Sequence, residues 1–264
     1  MIDNIGVSEW SYNKQFKDGS IDHAAFFSAI HELGLHKAEL NSPFFASIEP
    51  DYVATIGRAA AQFGVKPVNI AIDDWSCDLS SNDEANRQAA VAVTVAWMDV
   101  AVALGCPNVR NNTGGIDLAS CTKSFTELAA AAKQRGLRIV IEAHGGFSSD
   151  ASKIVPLVEA VRAVHGDTIG IIPDFGNVIN DPGCDRYCQI GKLAPYAVLV
   201  HPKMHDFDEN GDQPEWDTMR LVKIVRQAGF DGDWIIEYEG HSDLPPVGIK
   251  KSVALLSRCF AESE

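Results

Sequence analysis

Short apolar runs alternate with longer amphipathic segments along the whole chain. The apolar runs are rich in Val, Ile and Leu, which is typical of parallel strands that are buried on both faces of a sheet. The amphipathic segments have helical spacing and often stop at a Gly. The apolar runs predict strands at residues 5–7, 38–40, 67–72, 108–110, 139–142, 169–173, 197–201 and 234–237. The amphipathic segments predict helices at residues 22–33, 50–63, 84–104, 122–135, 152–164, 185–193, 216–228 and 247–260.

The order of these elements determines the predicted fold class. Strands that alternate with helices predict an α/β fold, and eight such units in 264 residues predict a single (β/α)8 TIM barrel. A doubly wound sheet is the alternative. Its dinucleotide-binding form requires a Gly-x-Gly-x-x-Gly motif after the first strand, and this chain has none there. No change in composition marks a second domain, so we expect residues 1–264 to form one domain. At the start of the third helix, Ser81 and Glu84 have the spacing of a capping box.

The last four predicted strands each end in a polar residue that can carry chemistry. We call these four residues the strand-end cluster: Glu142, Asp174, His201 and Glu237. In a barrel the carboxyl ends of the strands converge on one mouth, where active sites lie. Three unpaired carboxylates buried around one imidazole would be costly, and a divalent cation such as Mn²⁺, Mg²⁺, Co²⁺ or Zn²⁺ would remove that cost. Taken singly, each residue could instead be a polar group that a loop backbone satisfies.

Other polar residues near the predicted strand ends are candidate substrate contacts. His144 lies on the same strand face as Glu142 and could bind a substrate oxygen, or it could cap a Gly-rich loop. Lys203 could stabilise an oxyanion or act as a base, or it could be a solvated loop residue. The candidate substrate-binding residues are His144, Lys203, Asn177, Glu39 and Arg110.

Charge and composition narrow the possible partners. The formal net charge is −14 with a pI near 4.9, which argues against a nucleic-acid partner because such partners require a basic face. No uninterrupted apolar run of about eighteen residues is present, so we expect no membrane span. A homo-oligomer is possible.

The cysteines bear on the compartment. Six cysteines in a chain without a signal-like start predict reduced, mostly buried thiols and a cytoplasmic location. Cys184 and Cys188 have the spacing of a metal clip, but packing on a short helix is the alternative.

The segments around the strand ends resemble the xylose-isomerase-like TIM-barrel superfamily, which includes ketose 3-epimerases and metal-dependent apurinic endonucleases. The segments that carry the resemblance are Ile-Glu142-Ala-His-Gly-Gly, Pro-Asp174-Phe-Gly-Asn, Val-His201-Pro-Lys and Ile-Glu237-Tyr-Glu-Gly. The resemblance implies that the strand-end cluster binds one divalent metal ion. It also implies that Glu142 and Glu237 face each other across a small carbohydrate or keto-polyol as the catalytic acid and base. The implied activity is that of a sugar isomerase or epimerase, which moves a proton at the carbon beside a carbonyl through a metal-stabilised enediolate.

Three departures from the ketose epimerases indicate different substrate contacts. Asn177 and Ser148 stand where those enzymes carry a His and a Glu, and Lys203 and His205 stand near the place of an expected Arg. The endonuclease branch needs more His ligands and a basic face, which the net charge opposes.

Two other functions stay open. In a metal-dependent lyase or dehydratase on a keto-sugar or inosose-type substrate, Lys203 or His144 would protonate a departing hydroxyl or glycoside. A binding protein with a vestigial site is the non-enzymatic alternative. The particular sugar, and whether it carries a phosphate, are left open by the sequence.

Overall fold

The structure, a computed structural model, describes residues 2–74, 76–115 and 117–263. These residues form eight parallel strands in one sheet. The strands are β1 (Ile5–Ser8), β2 (Lys37–Asn41), β3 (Lys66–Ala71), β4 (Asn108–Arg110), β5 (Arg138–Glu142), β6 (Ile169–Ile172), β7 (Leu199–Val200) and β8 (Asp233–Ile236). All eight coincide with predicted strands to within two residues at each end, although β7 is shorter than predicted.

The sheet closes into a barrel. The strand order in the sheet is β6-β5-β4-β3-β2-β1-β8-β7. The two edge strands are therefore β6 and β7, and they must be joined to close the barrel. Two isolated bridges join them, between Ile171 and Ala197 and between Asp174 and His201. In the second bridge the His201 N–H donates to the Pro173 carbonyl at 3.0 Å. The predicted (β/α)8 barrel is therefore confirmed, and one of the two bridges that close it joins Asp174 and His201 of the strand-end cluster.

Helices surround the barrel and follow each strand. Within the described ranges the α-helices are α1 (Asn13–Asp18), α2 (His23–Glu32), α3 (Pro50–Gln62), α4 (Glu84–Leu104), α5 (Leu118–Arg135), α6 (Ala151–His165), α7 (Arg186–Leu193), α8 (Thr218–Gln227) and α9 (Pro245–Glu262). Short 3-10 helices lie at Ile2–Asn4, Glu9–Tyr12, Ser42–Phe44, Gly146–Ser149, Gly166–Thr168 and Ala194–Tyr196. The sequence pattern missed α1, which has no buried residue and therefore no apolar face to reveal it.

The predicted capping box at the start of α4 was wrong. The N-cap is Asp83, whose carboxylate accepts from the Asn86 N–H at 3.0 Å, and Glu84 is already the first helical residue. Ser81 instead accepts from the Asp83 N–H at 3.2 Å, one turn ahead of the helix. Asp is as good an N-cap as Ser, and Asp83, which directly precedes the first helical residue, is the N-cap. An Asp N-cap, Asp117, likewise starts α5 earlier than predicted.

The barrel interior shows why the strand-end cluster points inward. Val140, Ile172 and Leu199 form a small apolar cluster that is separate from the core between sheet and helices. Each of these residues precedes a member of the strand-end cluster by two positions. Because alternate residues of a strand share a face, the strand-end cluster lies directly above this apolar layer.

Among the described residues one helix, α4, is long and apolar enough to cross a membrane by length and composition alone. Its mean hydropathy is 1.4, and 39% of the apolar stretch is buried inside the protein. It packs between α3 and α5 in the outer ring. Packed core helices pass the same test, so the feature is weak evidence for a membrane span.

The prediction that all six cysteines are reduced was wrong for one pair. Cys184 and Cys188 form a disulfide with a Cα–Cα distance of 5.3 Å. Asp185 caps α7, so the two cysteines flank its first turn, where side chains four positions apart lie side by side. The pair is therefore no metal clip. The other four, which are Cys77, Cys106, Cys121 and Cys259, are free and buried.

Candidate metal centre

The barrel brings the strand-end cluster together. Each of its four residues offers a ligand atom, and these atoms all lie within 4.8 Å of one another. All four side chains are buried; Glu237 is the most exposed, at 4%. The convergence expected from the strand ends is thus present in the fold, and such a group could hold a metal ion.

His201 lies at the centre of the cluster, and its two ring nitrogens face different partners. Nδ1 lies 3.0 Å from Glu142 Oε1 and 3.8 Å from Glu237 Oε1. Nε2 lies 3.0 Å from Glu39 Oε2, on the opposite side of the ring. Burial opposes a charged imidazole, but the carboxylates of Glu39 and Glu142 raise the pKa of His201 well above its ordinary value. Glu39 therefore fixes the ring so that Nδ1 points at the cluster.

Arg110 is the cationic neighbour of Glu142. Its Nε lies 3.2 Å from Glu142 Oε2, and its Nη1 lies 2.6 Å from Asp73 Oδ1. Burial would raise the pKa of Glu142, but Arg110 and His201 together hold it well below its ordinary value. The side of the site formed by β3 to β5 is thus an alternating row of carboxylates and cations.

Lys203 is the cationic neighbour of Glu237. Its Nζ lies 3.0 Å from Glu237 Oε2, 2.9 Å from Glu239 Oε1 and 3.6 Å from Asp174 Oδ2. Burial nevertheless raises the pKa of Glu237, against the effect of Lys203. Burial also raises the pKa of Asp174, to about 8. This half of the site therefore has too little positive charge close to its carboxylates.

Backbone amides hold Asp174 in place. Its Oδ1 accepts from the N–H groups of Gly176 and Asn177 at 2.7 and 2.8 Å, and the Asn177 side chain donates to Oδ2 at 3.2 Å. The tight turn after β6 thus orients the carboxylate toward His201. Asn177, predicted as a substrate contact, lies behind Asp174 and supports it.

The donor set fits a divalent cation. Glu39 Oε1 is a buried carboxylate oxygen with no hydrogen-bond partner among the described residues, and Glu142 Oε2 has the ion pair with Arg110 Nε at 3.2 Å. A buried acceptor without a partner is costly, and an ion among the carboxylates would remove part of that cost. Three carboxylates with one imidazole suit Mg²⁺, Mn²⁺, Co²⁺ or Zn²⁺.

A small inner cavity of about 100 Å³ opens beside the cluster. Three predicted substrate contacts, Arg110, His144 and Lys203, line it, whereas Glu39 lies behind His201 and does not. The full lining is Trp10, Asn41, Asp73, Arg110, His144, Lys203, Glu237 and Glu239. Of the five predicted contacts, Glu39 and Asn177 therefore orient cluster residues instead of bordering this cavity.

The search for strand-end residues missed Asp73. Asp73 lies just after the end of β3, and Glu142 is the last residue of β5. The search for polar residues at strand ends, applied to the last four strands, would therefore also have found Asp73. Its Oδ1 binds Arg110, while its Oδ2 accepts from Asn41 Nδ2 at 2.9 Å. Asp73 therefore links β2, β3 and β4 at the mouth.

A second buried pair joins Glu9, which follows β1, to His23, the first residue of α2. His23 Nδ1 lies 2.5 Å from Glu9 Oε1, and Glu9 Oε2 accepts from the Asn41 N–H at 2.9 Å. Burial lowers the pKa of His23, but Glu9 outweighs it and the net pKa is raised. Burial raises the pKa of Glu9 despite His23.

Comparison with known proteins agrees with this geometry. Residues 27–259 match the xylose isomerase-like TIM barrel family. The chain belongs to this family. The matched residues include every member of the strand-end cluster.

Solved structures similar to this chain include sugar epimerases. An L-ribulose 3-epimerase superposes with a TM-score of 0.77 at 14% identity and covers 98% of this chain and 95% of its own. A xylose isomerase-like TIM barrel protein from Mycobacterium smegmatis in complex with magnesium has a TM-score of 0.67 at 16% identity, covering 90% and 89%. At these identities the likeness shows the fold.

Curated relatives match only parts of the chain. The C-glycoside deglycosidase alpha subunit of Arthrobacter globiformis is 32% identical over 77 residues. That stretch covers 27% of this chain and 22% of the relative.

Proposed function

We propose that this protein is a divalent-metal-dependent sugar epimerase or isomerase that moves a proton at the carbon beside a carbonyl. The observation that carries the proposal is the buried strand-end cluster beside a cavity lined by polar side chains. Its sugar-epimerase structural neighbours support a small carbohydrate as substrate.

In the proposed reaction Glu142 and Glu237 are the acid–base pair. Glu142 ends β5 and Glu237 follows β8, so the two carboxylates approach the cluster from different strands, and Glu237 lines the inner cavity. One carboxylate takes the proton from the substrate carbon, and the other returns a proton. Arg110 lies beside Glu142 and Lys203 beside Glu237, which gives the two carboxylates different surroundings. The handedness of the substrate decides which of them takes the proton.

The strand-end cluster would hold the metal ion. When bound, the ion would polarise the carbonyl and offset the negative charge that develops as the proton leaves. Lys203, His144 and Arg110 line the cavity and would orient substrate hydroxyl groups. Trp10 forms part of the cavity wall and would limit access of water.

Solvent exchange tests this function. Protein loaded with Mn²⁺ is incubated in D₂O with a panel of ketoses, and NMR records deuterium at the carbon beside the ketone. We expect deuterium exchange with the unaltered protein. In Glu142→Gln and in Glu237→Gln the exchange rate should fall by about a hundredfold or more. The exposed Glu262→Gln variant serves as control and keeps full exchange. Absence of exchange across the panel would contradict the proposal.

A lyase is the second candidate, and the partial identity with C-glycoside deglycosidase alpha subunits favours it. The same proton removal would be followed by departure of a hydroxyl or glycosyl group from the next carbon, with Lys203 or His144 as proton donor. Loss of the group by mass spectrometry, or a new enone absorbance, would distinguish this reaction from epimerisation.

The location and assembly of the protein stay predictions. A cytoplasmic location is still our proposal, but the Cys184–Cys188 disulfide weighs against it because disulfides are rare in reducing compartments. Size-exclusion chromatography with light scattering tests the possible homo-oligomer.

A further inference from the structure

The disulfide at the start of α7 lies at the protein surface. Cys188 is exposed and Cys184 is half-buried, whereas the free cysteines are all buried. A thiolate in solution can therefore reach the bonded sulfurs. Exposed disulfides are among the more easily reduced, and in reducing compartments a disulfide is usually transient or redox-sensing. The pair is therefore a candidate site for reversible reduction.

The disulfide encloses the first turn of α7. Asp185 is the N-cap and accepts from the Cys188 N–H at 2.8 Å, and Arg186 and Tyr187 lie between these two residues. The chain that enters the turn, residues 173–185, lies outside the strands and helices. With eight residues α7 is short, and a helix of this length depends on contacts outside itself for stability. The disulfide thus restrains the turn from which Arg186 and Tyr187 project.

Arg186 connects this turn to the segment that follows Asp174. Its Nη1 donates to the Phe175 carbonyl. The Phe175 N–H donates in turn to the His201 carbonyl at 3.0 Å, next to the bridge between Asp174 and His201. Phe175 therefore lies between Arg186 and the two members of the strand-end cluster that help to close the barrel.

The same turn contacts the segment that follows β7. The guanidinium of Arg186 lies 4.4 Å from the centre of the Trp216 ring, and the opposite partner of that ring is His205, with 5.3 Å between ring centres. The Tyr187 hydroxyl accepts from the Asp217 N–H at 2.9 Å. The first turn of α7 therefore contacts the segments after both β6 and β7, each of which begins at a member of the strand-end cluster.

We propose that Cys184 and Cys188 are a reversible redox pair and that the disulfide form binds the divalent ion more tightly than the dithiol form. The proposal rests on the metal centre of the proposed function, but not on the reaction catalysed there. The closed disulfide holds Arg186 against Phe175. When the disulfide is open, the turn frays more often, and the binding arrangement of Asp174 is less populated. The apparent Kd rises as the binding-competent fraction falls.

Reduction by a dithiol reagent needs no further reactant. One thiolate of the reagent attacks Sγ of Cys188, the S–S bond breaks, and the Cys184 sulfur leaves as a thiolate and takes a proton. The second thiolate of the reagent then attacks the reagent's own sulfur in the mixed disulfide and releases Cys188, which also takes a proton. Two electrons and two protons pass to the protein, and the reagent leaves as a disulfide.

Metal affinity in the two redox states tests the proposal. Calorimetry gives the Kd for Mn²⁺ of the oxidised protein and of protein reduced with dithiothreitol, which is then removed without air. Mn²⁺ suits the comparison because it prefers oxygen ligands to thiolates. We expect the Kd to be about fivefold or more higher in the reduced protein, at the lower end of couplings between two sites. The double variant Cys184→Ser/Cys188→Ser should match the reduced protein and should not respond to dithiothreitol.

Arg186→Gln tests the route of the coupling. The shorter neutral side chain loses the contacts with Phe175 and Trp216, so the difference in Kd between the redox states should fall to about twofold or less. Lys192→Gln is the matched control, because Lys192 is an exposed residue in the last turn of the same helix. It should keep the full difference. Circular dichroism and Tm verify that both variants are folded.

The coupling must also appear in the redox equilibrium. In a buffer of reduced and oxidised glutathione, saturating Mn²⁺ should favour the disulfide form by the same factor by which the disulfide favours Mn²⁺ binding. Alkylation followed by mass spectrometry counts the free thiols. A disulfide that is only a structural cross-link would show no such shift.

Three results would overturn the proposal. These are equal Kd values in the two redox states, a redox equilibrium that Mn²⁺ does not shift, and a full difference retained in Arg186→Gln.

Deuterium exchange into ketoses separates this proposal from the proposed function. Exchange together with equal Kd values in the two redox states would contradict the redox pair alone. A redox-dependent Kd without exchange in any ketose would contradict the proposed reaction and support the redox pair. Failure of Mn²⁺ to bind in either state would overturn both.

Discussion

Glu39 is a buried carboxylate that acts on the site through another residue. Its Oε2 faces His201 Nε2 and also accepts from Asn69 Nδ2 at 2.7 Å. A carboxylate on the outer nitrogen of a ligating His fixes the tautomer and the orientation of the ring. We therefore propose a positioning role for Glu39, where the sequence suggested contact with substrate.

The positioning role predicts weaker metal binding without Glu39. Glu39→Gln should lower the affinity for Mn²⁺ by about 10- to 100-fold, the range seen when such outer partners are removed. Calorimetry measures the affinity, and nitrogen-15 NMR of His201 reports which ring nitrogen carries the proton. Glu49→Gln, an exposed Glu at the start of α3, is the control. Unchanged affinity together with an unchanged tautomer would rule the role out.

The Glu9–His23 pair predicts a dependence of stability on pH. Glu9 raises the pKa of buried His23 above its ordinary 6.5, so the charged pair stabilises the fold below about pH 6.5, and the contribution is lost as pH rises through the raised pKa. The unfolding free energy of the unaltered protein should therefore exceed that of His23→Gln by more at about pH 6 than at about pH 9. Urea denaturation at both pH values measures the difference. The same comparison with exposed His36→Gln should show no such change.

Among the elements, β1 is closely constrained by its neighbours. A Cβ on Gly6 would lie 2.8 Å from both Ile235 Cδ1 and Lys37 Cβ, so β1 can sit between β2 and β8 only with glycine at this position. The contact is a close approach of three strands, and no unusual backbone angle is involved.

Two glycine-to-alanine variants should therefore have opposite effects. Gly6→Ala should lower the unfolding free energy by about 1–3 kcal/mol through overpacking. Gly57→Ala should raise it by about 0.5–1 kcal/mol, because Gly57 lies inside α3 and its added Cβ would have an ordinary contact of 3.5 Å to Leu104. Chemical denaturation measures both. If the Gly6→Ala protein were as stable as the parent, the predicted overpacking at β1 would be wrong.

At the scale of the whole molecule, the strand-end cluster joins four neighbouring strands of the closed barrel. Its members belong to the ends of β5, β6, β7 and β8, and two of them form one of the closing bridges. An ion that binds all four residues would bind the folded barrel and not the unfolded chain. Binding of such an ion would therefore be coupled to folding.

This coupling predicts stabilisation by metal. Mn²⁺ should raise the Tm of the unaltered protein in proportion to the logarithm of its concentration, gaining about 2.7 kcal/mol at a hundred times the Kd, and EDTA should reverse the effect. Asp174→Asn should lose this response, while Asp212→Asn on the exposed loop after β7 should keep it. Differential scanning calorimetry measures the shift. An equal rise in both variants would mean that the metal acts elsewhere.

The sequence alone determined the barrel and the identity of the strand-end cluster. Buried parallel strands must be apolar, so a carboxylate or imidazole at the end of such a run stands out. The assignment of residues 1–264 to one domain stays a prediction of the same kind.

The tertiary structure decided what surrounds the cluster. Arg110 beside Glu142, Lys203 beside Glu237 and Glu39 behind His201 are contacts between residues far apart in sequence, and no local pattern encodes them. Local periodicity fixes where a strand ends, whereas the partners of a buried charge are fixed only when the closed barrel brings distant strands together.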